Sequence, residues 1–317
     1  MLSATSGTLR IGAGRIVPRA APRVAAVASS ARRDFLSRHR NFHNVNNARS
    51  LSTTQRPGYV ATTNPNPPFG KRNTSNDTPS RVALIGGRGY TGQALVELFD
   101  KHPYMDLRHV LSRELVGQEL KGYNKRKIIY ENLSAEECAQ LDVDAYVLAL
   151  PNGVSQPYVD AIDQAEKGKD KKSLIVDLSA DYRFDDSWTY SLPELTGRSK
   201  IAQSTRISNP VTSWFRGIHL TINIPLNKSM NSRDIRNIYQ DRYAGEKLIK
   251  VLGEAPYVKS IQGKHFVETG GFTVDQTGKR VVVCATIDNL NKGASTQCLQ
   301  NMNLALGYAE YEGIPVM

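Results

Sequence analysis

The sequence predicts a doubly wound α/β domain that is followed by a shortened α+β domain and a closing helix. Beyond residue 80, short apolar strands alternate with helical stretches at the rhythm of a parallel sheet. A glycine-rich turn joins the first of these strands to the first helix. From about residue 214 the pattern changes to alternation with period two, which is typical of strands that bury one face.

The first strand and its turn lie in residues 81–93, RVALIGGRGYTGQ. Gly86 permits a tight turn, Gly89 lets a pyrophosphate approach the backbone, and Gly92 lets the new helix pack close to the strand. The spacing is Gly-x-x-Gly-x-x-Gly, which departs from the common Gly-x-Gly-x-x-Gly fingerprint. An ordinary glycine-rich turn between a strand and a helix is therefore an alternative interpretation.

The second strand, 107–111, ends in Ser112 and Arg113. A NAD-binding unit usually has an acidic residue here for the ribose hydroxyls, whereas a hydroxyl and a guanidinium suit a 2′-phosphate. This pattern favours NADP over NAD. The adjacent Glu114 keeps open the alternative of a solvated surface arginine.

Two further strands, 145–150 and 174–178, complete the parallel pattern. The turn Pro151, Asn152 and Gly153 follows the first of them and should lie at the carboxyl edge of the sheet. Ligands bind at this edge in open α/β sheets, so the pattern predicts a Rossmann-type dinucleotide site.

The second half is predicted to contain a strand, a helix capped by Ser232, a hairpin and a closing helix. These elements cover, in order, 214–225, 232–239, 266–274 with 279–288, and 292 to about 308.

The first 70 residues have ten Arg, no Lys and a single acid, Asp34. This composition is typical of an organelle transit peptide, which we assign to residues 1–60, with a polar linker over 61–80. The first 80 residues hold +10 of the chain's net charge of +11, so the rest has no basic excess that would indicate a nucleic-acid partner. No apolar run reaches membrane-spanning length, and we expect a matrix protein.

The three cysteines, Cys138, Cys284 and Cys298, have no CxxC spacing and no His at ligand spacing. They predict neither a disulfide framework nor a metal site, and each is interpreted as a small structural residue.

Several ordered motifs together resemble the N-acetyl-gamma-glutamyl-phosphate reductase family in its fungal mitochondrial form. The resemblance covers residues 81–317, and it is carried by RVALIGGRGYTGQ, SRELVGQ, ALPNG, VDLSADYRF, YSLPEL, ISNP, GIHLTINIPL, RDIRNIYQDRYAGE and IDNLNKGASTQCLQNMNLALGY. It implies reduction of N-acetylglutamyl phosphate to the semialdehyde with NADPH, in arginine biosynthesis. It also implies an NADP-binding domain over 81–210, a shortened catalytic and dimerisation domain over 211–292, and a helix over 293–317 that returns to the first domain.

The resemblance also implies which residues bind. The predicted cofactor contacts are Gly86, Gly89, Tyr90, Thr91, Gly92, Ser112, Arg113, Pro151, Asn152, Gly153 and Asn301. The predicted substrate contacts are Ser179 and Arg183, although Arg183 could equally form a structural ion pair with Asp181 or Asp185. A homo-oligomer and association with acetylglutamate kinase are the protein partners to be expected, and no kinase function is carried over.

The family's catalytic cysteine follows a Ser-Asn-Pro motif, but here Pro210 is followed at once by Val211. The segment with that cysteine and with the family's acid/base histidine has no match, so no catalytic residue is assigned. In the family a thiolate attacks the acyl phosphate, expels phosphate and leaves a thioester that accepts hydride. Two alternatives remain open: an active reductase, or a pseudo-reductase (or an incomplete gene model) that only binds NADP. The shortened second sheet is expected to have an unpaired edge.

Overall fold

The computed structural model describes residues 79–209 and 216–316. The predicted leader, almost all of the linker, and the junction of Pro210 with Val211 lie outside these residues. The account below is of the described residues alone.

The first domain is built on a six-stranded sheet in which every neighbouring pair is parallel, in the order β2-β1-β3-β4-β6-β5. Its strands are β1 Ser80–Ile85, β2 Met105–Leu111, β3 Ala145–Leu148, β4 Leu174–Asp177, β5 Thr189–Tyr190 and β6 Arg206–Ser208. The four predicted strands are confirmed within one to three residues at their ends. Their side chains are buried on both faces, which is why they read as continuous apolar runs.

Helices cover both faces of this sheet, as a doubly wound fold requires. The connecting helices are α1 Tyr90–Lys101, α2 Ala135–Cys138, α3 Gln156–Ala165, α4 Pro193–Thr196 and α5 Arg198–Ala202. On one face Val82 and Leu84 pack with Leu95 and Phe99 of α1. On the other, Ile85 belongs to the core that α3 covers.

The second domain has a four-stranded mixed sheet in the order β7-β10-β9-β8. Its elements are β7 Ile218–Pro225, α6 Ser232–Arg242, β8 Ile249–Val251, α7 Val258–Ile261, β9 Val267–Val274 and β10 Arg280–Ile287. The predicted hairpin of β9 and β10 is confirmed, with antiparallel pairing across the turn. The expected unpaired edge is β7, whose side chains are mostly exposed.

One detail of the predicted helix over 232–239 was wrong. The N-cap of α6 is Asn231, whose Oδ1 accepts a hydrogen bond from the Asp234 backbone at 2.9 Å. Ser232 is the first helical residue, and its hydroxyl accepts a hydrogen bond from the Val274 backbone. Asn and Ser are both good caps, so the sequence by itself left the choice open.

The closing helix α8, Thr296–Leu306, returns to the first domain as expected and is buried along its whole length. A π-helical turn, Asn291–Ser295, leads into it. Leu299 and Met302 join the apolar core beneath the parallel sheet. Among the described residues, none of the helices combines the length and apolar character that crossing a membrane requires.

Candidate nucleotide-binding site

The turn after β1 has the geometry that a phosphate cradle needs. Gly86 has φ +91°, and a Cβ placed on it would lie 2.3 Å from the Ala149 carbonyl oxygen. A Cβ on Gly92 would lie 2.6 Å from the Gly86 carbonyl oxygen. Both positions therefore require glycine, because any side chain would push β1, α1 and the turn after β3 apart. These two requirements argue against the alternative of an ordinary glycine-rich turn.

The N-terminus of α1 is suited to an anion. Gly89 caps the helix without a side-chain hydrogen bond, and the first turn contains no acidic residue. A Cβ on Gly89 would have only the Gly86 carbonyl oxygen near it, at 3.8 Å, so this glycine is not required by internal packing. Its missing side chain instead leaves room above the helix N-terminus, where amides and the helix dipole favour phosphate.

This turn opens into a cleft of about 460 Å³ at the carboxyl edge of the sheet. Its walls are formed by the ends of β1, β2 and β3 and by the loops that follow them. The lining residues are Ile85, Gly86, Arg88, Gly89, Leu111, Ser112, Arg113, Glu114, Asn132, Leu133, Ala149, Leu150, Pro151, Val154 and Tyr158. Five predicted cofactor residues thus meet in one cleft: Gly86, Gly89, Ser112, Arg113 and Pro151.

Two arginines, Arg88 and Arg113, line the cleft. Glu114 forms its ion pair with Arg88, from the glycine turn. Arg113 is exposed and lines the cleft beside Ser112, whose Oγ accepts a hydrogen bond from the Leu115 backbone at 3.3 Å and keeps its own proton to donate. The pair is therefore able to bind a 2′-phosphate.

The other predicted cofactor residues do not line the cleft. Tyr90 has a side chain that is 70% exposed along a groove outside α1, and Gly92 lies beneath the turn. Thr91 is the second residue of α1 and is not among the residues that line the cleft. Asn152 and Gly153 continue the turn from Pro151 but bind the protein itself.

Hydrogen bonds of Asn152 and Gly153 connect two turns at the carboxyl edge of the sheet. The Asn152 side-chain oxygen accepts a hydrogen bond from the Ala180 backbone at 2.9 Å, and the Gly153 amide donates to both oxygens of Asp181, at 2.7 and 2.9 Å. The turn after β3 is thereby fixed to the turn after β4. Asn152 and Gly153 shape the cleft from behind, and their direct contact with a cofactor stays a prediction.

The predicted substrate residue Ser179 is 1% exposed, and its hydroxyl donates to Asp177 at 2.6 Å. Ser155 donates to the other oxygen of the same carboxylate at 2.7 Å. Burial raises the pKa of Asp177 and outweighs these two hydrogen bonds. Ser179 therefore holds the end of β4 in place, and its hydroxyl is not presented to a substrate.

Arg183 is half-buried in the loop after β4. Its two suggested partners are engaged elsewhere, since Asp181 accepts from Gly153, and Asp185 accepts from the amide and hydroxyl of Ser187. The predicted contact of Arg183 with substrate stays a prediction.

Asn301 is fully buried, and both the oxygen and the nitrogen of its side-chain amide form hydrogen bonds within the protein. Its Oδ1 accepts from the Ser191 hydroxyl at 2.8 Å, and its Nδ2 donates to Asn209 Oδ1 at 2.6 Å. Asn301 thus helps to position Asn209, at the carboxyl end of β6, and its direct contact with a cofactor stays a prediction.

The three cysteines are all buried and lie away from the cleft walls. Burial raises the pKa of the Cys138 thiol to about 12 and also raises that of Cys298. Cys284 lies within β10, with its sulfur 4.0 Å from the Thr221 hydroxyl. A thiol held in its protonated form is a poor nucleophile, which agrees with the structural role predicted for Cys138 and Cys298.

Sequence reasoning missed five cleft residues: Arg88, Asn132, Leu133, Val154 and Tyr158. Asn132 and Leu133 reach the cleft because Glu131 bridges in parallel to Leu111, and the Ser112 amide donates to the Glu131 carbonyl. No local pattern marks this contact. Arg88 lies inside the glycine turn, so its positive charge could have marked it as a candidate phosphate contact from the sequence.

Two family models match the chain. The NAD-binding domain of semialdehyde dehydrogenases matches residues 81–204, and the dimerisation domain of the same family matches residues 193–289. The structure is similar to aspartate semialdehyde dehydrogenase II from Vibrio cholerae, with a TM-score of 0.58 and 13% identity, over 72% of this chain and 99% of that chain. The chain therefore has the two domains of the semialdehyde dehydrogenase class, an NAD-binding domain followed by a dimerisation domain.

Proteins of similar sequence indicate which family within this class the chain belongs to. The N-acetyl-gamma-glutamyl-phosphate reductase of Stenotrophomonas maltophilia is 36% identical over 320 residues, which cover 76% of this chain and 99% of that protein. Protein arg-6, mitochondrial, of Neurospora crassa is 51% identical over 348 residues, covering 84% of this chain. The chain belongs to the N-acetyl-gamma-glutamyl-phosphate reductase family. It spans 40% of the length of the Neurospora protein and 39% of Protein ARG5,6, mitochondrial, of Candida albicans.

The alignment with the Stenotrophomonas reductase leaves part of that protein without a counterpart in this chain. Its alignment runs over 320 residues but takes in 76% of the 317 residues of this chain, about 241, so roughly 80 positions of the relative have no counterpart here.

Proposed function

We propose that this chain binds NADPH in the cleft at the carboxyl edge of the parallel sheet, and that its family reaction is the reduction of N-acetylglutamyl phosphate to the semialdehyde. The observation that carries the proposal is the meeting of a glycine cradle, a helix N-terminus and Arg113 in one cleft of about 460 Å³. A phosphate-rich dinucleotide matches each of these features.

The chain's own residues would hold the cofactor in a fixed direction. Arg113 and Ser112 would bind the 2′-phosphate at the end of β2, and the amides above Gly89 would receive the pyrophosphate. Pro151 would limit the cleft at the end of β3. NADPH supplies a hydride when bound.

A second candidate function is an NADP-binding protein without turnover. The supporting observation is that the three cysteines are buried and none lines the cleft. The position that follows Pro210 holds Val211, an aliphatic residue that cannot form a thioester. Roughly 80 positions of the bacterial relative have no counterpart in this chain, which is consistent with an unmatched family segment. We propose that the chain as written does not reduce the acyl phosphate.

Cofactor binding is tested by titrating the protein with NADPH and NADH. We expect NADPH to bind at least tenfold more tightly, and Arg113→Glu to remove that preference. Arg233→Glu, at an exposed position of α6, changes the net charge equally and should leave the preference intact. Equal affinities for the two cofactors in the unmodified protein would contradict the proposal.

Turnover is tested separately, in the reverse direction, by following phosphate-dependent reduction of NADP⁺ with N-acetylglutamate semialdehyde. The unmodified chain should be inactive, and insertion of the family segment between Pro210 and Val211 should restore activity. Activity of the unmodified chain that disappears on mutation of Cys138, Cys284 or Cys298 would show that the nucleophile is one of these.

The fungal relatives also suggest a cellular location and a partner for this chain. The fungal relatives are named mitochondrial proteins, and we propose that residues 1–60 direct this chain to the matrix. A reporter fused to that segment should enter mitochondria, and a diffuse cytosolic signal would count against it. The domain boundaries 81–210, 211–292 and 293–317 are proposed on the same family basis, as is association with acetylglutamate kinase.

A further inference from the structure

An ion pair connects two walls of the predicted cofactor cleft. Arg88, in the glycine turn after β1, pairs with Glu114, in the loop after β2, and both residues line the cleft. In a fold of this kind the pyrophosphate lies at the first turn, and the adenosine ribose lies at the end of the second strand. The pair therefore reaches from one predicted phosphate position to the other.

Arg88 is held less firmly than a structural arginine of the same domain. Arg198 contacts two carboxylates, those of Glu246 and Glu310, and its side chain is 16% exposed. The side chain of Arg88 is 55% exposed, and that of its partner Glu114 is 65% exposed. Exposed ion pairs contribute little to stability, whereas a phosphate offers a guanidinium more charge and several acceptor oxygens. Arg88 can therefore leave Glu114 for a phosphate at small cost.

Glu114 places a negative charge where that charge opposes NADPH. A carboxylate near the end of the second strand accepts hydrogen bonds from the ribose hydroxyls of NAD and repels a 2′-phosphate. Glu114 is adjacent to Arg113, the predicted ligand of that phosphate. Without a second cation, its charge would cancel that of Arg113. Arg88 supplies this cation, so this end of the cleft has two positive charges and one negative charge.

We propose that Arg88 and Glu114 determine the preference for NADPH by an exchange of partners. Before NADPH binds, Arg88 neutralises Glu114. When NADPH binds, Arg88 turns to the 2′-phosphate and holds it together with Arg113. NADH has a hydroxyl at this position, so the ion pair stays closed. The inference rests on the proposed binding of NADPH in this cleft, and it adds two residues that determine the selectivity.

The first experiment titrates the full chain with NADPH and with NADH, and compares Arg88→Met with the unmodified protein. We expect the Kd for NADPH to rise at least about tenfold, because a charged hydrogen bond is lost and Glu114 is left without its cation. The Kd for NADH should change by less than about threefold. Lys127→Met is the matched control and should change neither affinity, since it removes the cation of the exposed pair of Lys127 with Glu119, whose residues are not among those that line the cleft.

The second experiment identifies the phosphate that Arg88 binds. Adenosine 2′,5′-bisphosphate has the 2′-phosphate without the pyrophosphate, and ADP has the pyrophosphate without the 2′-phosphate. In calorimetric titrations, Arg88→Met should weaken binding of the bisphosphate at least about tenfold and leave that of ADP within about threefold. The opposite pattern, or equal losses, would assign Arg88 to the pyrophosphate and overturn the proposal.

The third experiment separates the two charges of the pair. Glu114→Gln should bind NADPH about threefold or more tightly than the unmodified chain, and Arg88→Met with Glu114→Gln should bind it more tightly than Arg88→Met alone. Weaker binding by Glu114→Gln would show that the pair only shapes the cleft, and would overturn the proposal. An NADPH preference that survives Arg88→Met overturns this inference alone, whereas no binding of NADPH by the unmodified chain overturns the proposed function as well. Circular dichroism verifies that the variants are folded.

Discussion

Replacing Lys292 tests whether the two domains and the closing helix are held together by a buried charged cluster. Lys292 is 1% exposed, and its ammonium donates to Glu194 at 2.8 Å and to the side-chain oxygens of Gln297 and Gln300, each at 2.7 Å. Gln300 in turn donates to Glu194 at 3.0 Å and to Glu310 at 2.7 Å. The cluster thus joins α4, the π-helical turn, α8 and the C-terminal residues.

Lys292→Met removes the cation and leaves the carboxylate. Glu194 would keep one hydrogen bond, from Gln300, while its Oε2 has no hydrogen-bond partner. Breaking a buried ion pair in this way costs about 3–5 kcal/mol. At about 2–4 °C per kcal/mol for a folded part of this size, we expect Tm to fall by roughly 6–20 °C.

The decisive measurement compares the stability of Lys292→Met with that of the double variant Lys292→Met with Glu194→Leu. No charge remains buried in it, so it should be about 2 kcal/mol more stable than Lys292→Met alone, even though Gln297 and Gln300 lose a donor. The free energies of unfolding would be measured in urea by circular dichroism, and combined in a double-mutant cycle. Additive losses for the two substitutions would refute the reasoning.

The same cluster predicts a pH dependence. Burial acts to raise the pKa of Glu194, but the charge of Lys292 and the hydrogen bonds from Lys292 and Gln300 outweigh it and bring the pKa below its usual value of 4.5. A carboxylate with a lowered pKa in the folded state stabilises the fold above its unfolded pKa. This contribution should be lost as the pH falls below about 4.5, and Glu194→Gln should remove that part of the acid sensitivity.

Three further predictions follow from single sites. Gly89→Ala should fold normally and bind NADPH at least tenfold more weakly, whereas Gly92→Ala should also lower Tm, because its Cβ would lie 2.6 Å from a carbonyl oxygen; equal Tm values for the two variants would contradict this. Burial lowers the pKa of His102 to about 4 from 6.5, so the protein should lose about 3 kcal/mol as the pH falls from 6.5 to 4, and His102→Gln should lose less. Cys138 and Cys298 should resist thiol reagents until urea unfolds the chain, and rapid labelling of the native protein would refute their burial.

The sequence alone determined the elements that depend on near neighbours. The glycine turn of 81–93, the buried strands of the parallel sheet and the β9–β10 hairpin were all predicted within a few residues. Turn chemistry and hydrophobic periodicity act over two to four residues, so they can be read along the chain. For the same reason Gly86, Ser112 and Arg113 could be assigned to one site, since carboxyl ends of parallel strands share an edge.

The tertiary structure decided which side chains are free to bind and which are used internally. Ser179 and Asn301 have the same local sequence whether they face a ligand or the protein, but packing placed both in the interior. Lys292 meets Glu194 across 98 positions of the chain, and Asn132 reaches the cleft through the bridge of Glu131 to Leu111. Contacts of this kind are set by the docking of whole elements. No periodicity of the sequence contains them, because the burial that stabilises them exists only after the chain has folded.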